Sequence, residues 1–373
     1  MKKTGMLLLL WVMGVTALGV SGCARFKVEK LNLTTLFSIP LGSELHELNY
    51  PKQRGLYYEI PSRVAVVGDW LAISEPSSRV IKIYKENQLS SIIYSAESTQ
   101  KRPDKKEEGA PRFTESTHLG IPGMLTSGRD DDFYALTFTT AASGESGATG
   151  YYKIIHFDIK GNFINLIGRN NQESLPFERI IWMDTDENHN LWVLYRYLGN
   201  LYLERLGKES KVLTLSEEDC RKTLFGENPK DTERLYTCEV MLPFEDGEHI
   251  LYAGKVQTVP REKNESLEGY EFLYRTYKVK NIVSGEVKTV FEKHSDPDSY
   301  PELPIGEQIY IWKPDDGDRV RAAVYNLDGD LLNNLQIEFI GKKSTWRSTY
   351  PSLNGEIYSL RVHNNELEVC RWN

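Results

Sequence analysis

The sequence predicts an all-β fold: a six-bladed β-propeller of four-stranded antiparallel blades, its ring closed by the N-terminal strand. Three observations carry that expectation. A turn-plus-strand unit recurs six times, a hairpin follows each copy, and the last copy is one strand short. The unit is a turn containing Asp, Asn or Gly, followed by a run rich in Trp, Tyr, Leu and Ile. Its copies are Trp70-Leu71-Ala72-Ile73, Phe133-Tyr134-Ala135-Leu136, Leu191-Trp192-Val193-Leu194, Ile250-Leu251-Tyr252-Ala253, Ile309-Tyr310-Ile311-Trp312 and Ile357-Tyr358-Ser359-Leu360. The runs begin at 70, 133, 191, 250, 309 and 357, a spacing of about sixty residues that shortens only in the last unit and marks an array of like units.

Each copy continues into a hairpin, as in residues 153–157, the turn Asp158-Ile159-Lys160-Gly161, and residues 163–167. Equivalent turns fall near Asn87, Gly207, Gly285 and Asp328-Gly329. Gly and Asn suit these places because tight hairpins need positive φ. A short strand ahead of each turn, such as residues 179–183, brings every unit to four antiparallel strands, and such units repeated around a ring make a propeller. The sixth unit offers only residues 357–362 and 366–372 after its turn, so its fourth strand is missing. An open edge would leave backbone groups unpaired. Residues 28–39 (VEKLNLTTLFSI) are strand-like and have no other partner, so they are expected to complete that blade as one strand.

With strands lettered A to D within a blade, D–A and B–C connections share one side of the disc, and A–B and C–D turns share the other. Residues 97–118, 216–237 and 293–304 are expected as D–A connections, and residues 143–150 and 258–269 as B–C connections. All five long insertions therefore fall on one side. Functional loops collect where insertions are tolerated over a rigid scaffold.

The N-terminus begins Met1-Lys2-Lys3 and continues into an apolar run from Met6 to Val20. At about 15 residues that run is a signal-peptide core, shorter than the ~18 a membrane span requires. Val20-Ser21-Gly22-Cys23 then resembles a bacterial lipobox at all four positions. The resemblance implies cleavage after Gly22, a diacylglycerol thioether on Cys23 and further acylation, such as palmitate, on the new amine. Two or more chains anchor a protein stably where one does not. The expected organisation is a removed signal peptide (1–22), a lipidated tether (23–27) and one propeller domain (28–373), held on a membrane of the cell envelope, with the outer membrane favoured. Because Val28 would enter blade 6 as strand D, the tether should hold the short-turn side toward the membrane and the insertion side away from it.

The charge balance of −8 at pH 7, with Lys and Arg scattered among Asp and Glu, offers no polyanion-binding surface, so nucleic acid is not an expected partner. Cys220 and Cys238 flank a loop-like segment and are the plausible disulfide pair, whereas Cys370 reads as a small core residue. Asp184-Thr185-Asp186-Glu187-Asn188 has the opening of a calcium loop, but the glycine and bidentate glutamate that should follow are His189 and Tyr195, so a turn is the better reading. Asp130-Asp131-Asp132 and Asp315-Asp316-Gly317-Asp318 are likewise assigned to turns. The histidines at 46, 118, 156, 189, 249, 294 and 363 show no paired ligand spacing and read as scattered surface and strand residues. Gly144-Glu145-Ser146-Gly147 lacks the last glycine position of a nucleophile elbow. The 21 Tyr and 7 Trp mostly occupy strand positions, where packing between blades is expected over a carbohydrate surface.

The phrases HFDIKGNFINLIGR (156–169) and VYNLDGDLLNNLQ (324–336) resemble the blade hairpins of NHL-type six-bladed propellers. With the lipobox, the whole chain resembles uncharacterised propeller lipoproteins, such as those of spirochaetes. The expectation is a monomeric, membrane-anchored binding scaffold that presents its long loops to a protein, peptide or glycan. The alternative is a propeller hydrolase of the lactonase or esterase type, in which carboxylates would converge on a metal in the central channel. Asp69 and Glu178 are among the few candidates for that role. The lack of a complete catalytic motif favours binding, and no cofactor is implied.

Overall fold

The computed structural model describes residues 28–53, 56–57, 59–98, 110–140, 150–207, 212–227, 233–259, 270–314, 319–338 and 346–373. The first strands are β1 (Val28–Lys30) and β2 (Leu33–Pro40), followed by the small hairpin β3 (Lys52–Gln53) and β4 (Leu56–Tyr57). Blade 1 holds β5 (Ala65–Val67), β6 (Trp70–Glu75), β7 (Val80–Lys85) and β8 (Gln88–Ser95), with β9 (Arg112–Ser116) added parallel outside β8. Blade 2 holds β10 (Ile121–Ser127), β11 (Asp132–Thr140), β12 (Gly150–Asp158) and β13 (Phe163–Ile167). Blade 3 holds β14 (Arg179–Thr185), β15 (Leu191–Tyr197), β16 (Asn200–Leu206) and β17 (Leu213–Ser216). Helix α1 (Glu217–Phe225) then leads to blade 4: β18 (Arg234–Pro243), β19 (His249–Thr258), β20 (Phe272–Asn281) and β21 (Val287–His294). Blade 5 holds β22 (Tyr300–Pro301), β23 (Ile309–Pro314), β24 (Arg319–Tyr325) and β25 (Leu331–Glu338), and blade 6 holds β26 (Trp346–Pro351), β27 (Ile357–His363) and β28 (Glu366–Trp372). The second strands begin at Trp70, Asp132, Leu191, His249, Ile309 and Ile357, each on the residue expected from the repeat or one before it.

Ring closure follows the expectation with one correction. β2 pairs antiparallel with β28, from Leu33 opposite Trp372 to Pro40 opposite Glu366, and supplies the missing fourth strand of blade 6. Residues 28–39 are not one strand, however. β1 instead runs parallel to β25 on the outer edge of blade 5, with Val28 opposite Asn334. Between them Leu31 donates its N–H to the Gln336 carbonyl, and Asn32 exchanges backbone bonds of 2.8 and 3.0 Å with Asn373. Two exposed edges compete for this segment, and splitting it satisfies both. Phe37 and Ile39 are buried against Val369, Leu367 and the core between blades 6 and 1. Each contributes about 1.5–3 kcal/mol of apolar burial to closure.

Apolar side chains from facing blades fill the seams around the ring: blades 6 and 1, 1 and 2, 2 and 3, and 5 and 6 each share a cluster, and a further one runs through blades 3, 4 and 5. Trp192, Tyr84, Tyr195, Tyr252 and Tyr277 are fully buried there, which is the packing role expected for the aromatics. Turn chemistry matches the register. Glu86 and Asn87, at φ 47° and 68°, join β7 to β8 in a two-residue turn, where Asn bears positive φ well. A second two-residue turn, the B–C connection from β15 to β16, places Leu198 at φ 50° ahead of Gly199, a conformation leucine tolerates poorly.

Helix α1 starts at a capping box in which the Ser216 hydroxyl and the Asp219 carboxylate each accept from the other's backbone N–H. Its buried face carries Leu224 and Cys220, and Cys220 is joined by a disulfide to Cys238 on β18. The connection between blades 3 and 4 is thus stapled to the scaffold. Cys370 is a buried free thiol on β28.

Candidate functional site

The first strands line the axis, and the cluster that fills it is built from residues far apart in sequence. Arg63, just ahead of β5, points its guanidinium at Asp184 near the end of β14 (3.2 Å) and donates to the Pro351 carbonyl at the end of β26 (3.2 Å). It also lies over the rings of Tyr350 (4.8 Å) and Trp182 (5.6 Å). The second Asp184 oxygen accepts from Thr126 Oγ1 (2.8 Å) on β10 and from the Thr185 N–H (2.9 Å), and the first also accepts from the Leu353 N–H (3.1 Å). Blades 1, 2, 3 and 6 therefore meet on one buried ion pair. Glu302 of blade 5 comes next to it: burial pushes its carboxyl up to about 7, against the opposing pull of Arg63 and a bond from the Leu303 backbone.

On the A–B side this cluster is covered. Arg129 donates to the Asp186 and Leu353 carbonyls (3.1 and 3.4 Å) and lies 3.7 Å from Glu245. The Glu187 N–H bonds the Glu245 carbonyl. Asp186 is the hub of the turn: one carboxylate oxygen accepts from the Asn188 and Asn190 backbone, and the other from Trp192 Nε1 at 2.8 Å. These oxygens are consumed in turn formation, which is why the calcium-like phrase at 184–188 builds a turn.

The carboxylates proposed for a channel metal do not meet. Asp69 sits in the turn before β6, 3.7 Å from Lys85. Glu178, ahead of β14, accepts the Leu198 N–H. Arg63 is the partner of Asp184 in the central cluster, and among the described residues no three His, Cys, Asp or Glu side chains gather as a metal-ligand set. Residues 315–318 and 144–147 lie outside the described residues, as does Cys23. Of the histidines taken as scattered, His156 departs most from that reading. It is buried and bonded to Asp132 at 2.6 Å.

Strand order puts the long connections on the D–A and B–C side, and the described parts show how that side is shaped. Residues 97–118 contribute β9, which widens blade 1, and residues 216–237 contribute α1. The 4–5 connection is fixed by Arg275 of β20. Its Nε bonds Glu239 (2.6 Å), and its Nη1 reaches the carbonyls of Asp296, Pro297 and Ser299 (3.1, 3.1 and 2.6 Å). That loop walls a cleft of about 440 Å³ against blade 5, with Ile311, Ala322 and Leu335 on its floor and Lys313, Arg321 and Asn334 around it. The Lys313 ammonium bonds Asp296 (2.9 Å) and thereby holds that carboxyl below its usual range. Desolvation pulls His294 down, keeping its imidazole neutral beside Tyr277 and Phe291. Ser299 Oγ is 3.4 Å from His294 Nδ1, but it donates to the Asp296 carbonyl, so the hydroxyl proton is committed and the pair is not an activated nucleophile. The cleft is suited to holding a polar segment over an apolar floor.

No protein-family profile matches this chain, and none of the curated proteins matches it. Among solved structures, polysaccharide lyase Uly1 is similar at 11% identity and a TM-score of 0.44, covering 89% of this chain and 93% of its own. A PL25 ulvan lyase aligns at 10% identity and 0.41 over 83% of both chains. The β-propeller domain of the trilobed protease from Pyrococcus furiosus aligns at 12% and 0.40 over 80% and 78%. No functional residue is carried over from them.

Proposed function

We propose that the chain is a lipid-anchored binding scaffold of the bacterial cell envelope. It would be held on the membrane, with the outer membrane favoured, through Cys23 and would present its insertion side to a protein, peptide or glycan. The observation that carries this reading is the opposition of tether and insertions. β1 runs in the direction of β25, so it begins on the side of the C–D turn at residues 326–330, and a tether through Cys23 would join the ring there. The long connections belong to the D–A and B–C side. A rigid disc with its axis locked by Arg63 and Asp184 separates the two.

Two experiments test the reading. Metabolic labelling with an alkynyl palmitate should tag the wild-type chain and not Cys23→Ala, and equal labelling would remove the anchor. Pull-down with the fragment from Arg25 onward should lose its specific partner when residues 97–118 are replaced by a short linker. Retention of the same partner would move the binding surface elsewhere.

A further inference from the structure

We infer that the groove between blades 2 and 3, on the side opposite the insertions, is a binding site for a neutral sugar. Strand register builds it. Thr126, Tyr134, His156 and Asn165 stand opposite one another on β10, β11, β12 and β13, a polar row crossing the whole of blade 2. Its inner end, Thr126, is spent on Asp184. The outer three residues line a cleft of about 460 Å³, faced by His189, Leu206 and Asn171. That volume lies within the ~300–1,000 Å³ of small-molecule sites.

Two groups in this cleft have hydrogen-bonding capacity that the fold leaves unused. Tyr134 is 6% exposed and His156 5%, and their rings stack at 4.2 Å. His156 Nε2 is bonded to the buried Asp132 carboxylate at 2.6 Å, which leaves Nδ1, on the other edge of the ring, outside that bond. Among the described residues no bond is made to Nδ1 or to the Tyr134 hydroxyl, and both stand at the cleft. Burial and the nearby Asp132 and Asp130 carboxylates raise the phenol pKa, so it remains a donor. The imidazole Nδ1 and the phenol hydroxyl thus stand side by side, with the Asn165 carboxamide at the next strand.

The lining selects the ligand class. Among the described residues it contains no Lys, Arg, Asp or Glu; the carboxylates of Asp132 and Asp130 are bonded to His156 and paired with His189. Among those residues a charged ligand finds no counter-ion in the lining. The polar groups both give and take hydrogen bonds, as sugar hydroxyls do, and Ile164, Ile167 and Leu206 supply the apolar surface that the C–H face of a pyranose requires. The site does not depend on the insertion side or on the lipid anchor.

Saturation-transfer NMR on the full chain in a sugar-free detergent tests this, using methyl glucoside, methyl galactoside, methyl mannoside, N-acetylglucosamine and their disaccharides. Methyl glucuronide and glucosamine serve as charged controls. At least one neutral sugar should bind, and Tyr134→Phe and Asn165→Ala should each weaken it by about tenfold, the worth of one hydrogen bond. Lys313→Ala, in the other cleft, should leave binding unchanged. Thermal unfolding identical to wild type shows that Tyr134→Phe is folded. The inference is overturned if no neutral sugar binds at about 50 mM, the weak limit of a recognisable site. It is equally overturned if a charged control binds better, or if Tyr134→Phe folds and binds as wild type.

Discussion

Replacing Arg63 by alanine removes the guanidinium paired with Asp184 where four blades meet. Asp184 is 1% exposed and would keep Thr126 Oγ1 and the N–H groups of Thr185 and Leu353, but no opposite charge. The Pro351 carbonyl would lose its donor, and the Tyr350 and Trp182 rings the guanidinium packed on them. One-sided removal of a buried pair costs about 3–5 kcal/mol, because the surviving charge stays desolvated. Arg63→Ala is therefore expected to lose about that much in urea unfolding at pH 7, followed by tryptophan fluorescence, to which Trp182 beside the mutation contributes. Asp184→Asn should also destabilise, and the double variant should fall short of the sum of the two by more than about 1 kcal/mol, as for residues in one network. A loss below about 1 kcal/mol, or strict additivity, would refute the view that this pair locks the axis.

Three further outcomes follow from particular residues. Glu302 has its folded pKa raised by burial to about 7, so the folded state binds the extra proton. Stability should be full below about pH 4.5 and fall by about 3 kcal/mol at most as pH rises through 7; Glu302→Gln should flatten that slope in urea titrations across pH 4–8. Cys220 and Cys238 close a loop across a sequence separation of 18, so reducing agent or a Cys220→Ser, Cys238→Ser variant should cost about 3 kcal/mol, read as a lowered Tm against the untreated chain. Leu198→Gly should stabilise by about 0.5–1 kcal/mol in the same assay because it removes the side chain from a left-handed turn position; unchanged or lower stability would contradict the assignment of strain there.

The blades were legible because their signals are local. A turn residue with positive φ followed by alternating apolar residues fixes where β6, β15, β23 and β27 begin, and the shortage of a strand after Trp372 pointed to the N-terminus. The split of residues 28–39 was not legible, since Leu31 and Asn32 change blades at a place where nothing in the local pattern breaks. The axis cluster was also hidden. Arg63 and Asp184 are 121 residues apart and sit at strand margins, where a lone Arg or Asp carries no periodic signal. The row of Tyr134, His156 and Asn165 depends on register, and irregularities between Pro122 and Leu125 and between His156 and Phe157 shift that register in ways strand propensity does not encode. His156 was therefore read as one strand residue among seven histidines, although Asp132 two residues before Tyr134 was the available hint.

The orientation proposed for the propeller on a membrane, tethered through Cys23, is the point on which the proposed function stands. Single cysteines at Asp328, in the C–D turn of blade 5, and at Asp298, in the 4–5 connection, place a fluorophore on each side of the disc of the lipidated chain in vesicles. A quencher attached to the lipid headgroups should dim the label at 328 well before the label at 298. Stronger quenching at 298, or equal quenching at both, would contradict the account.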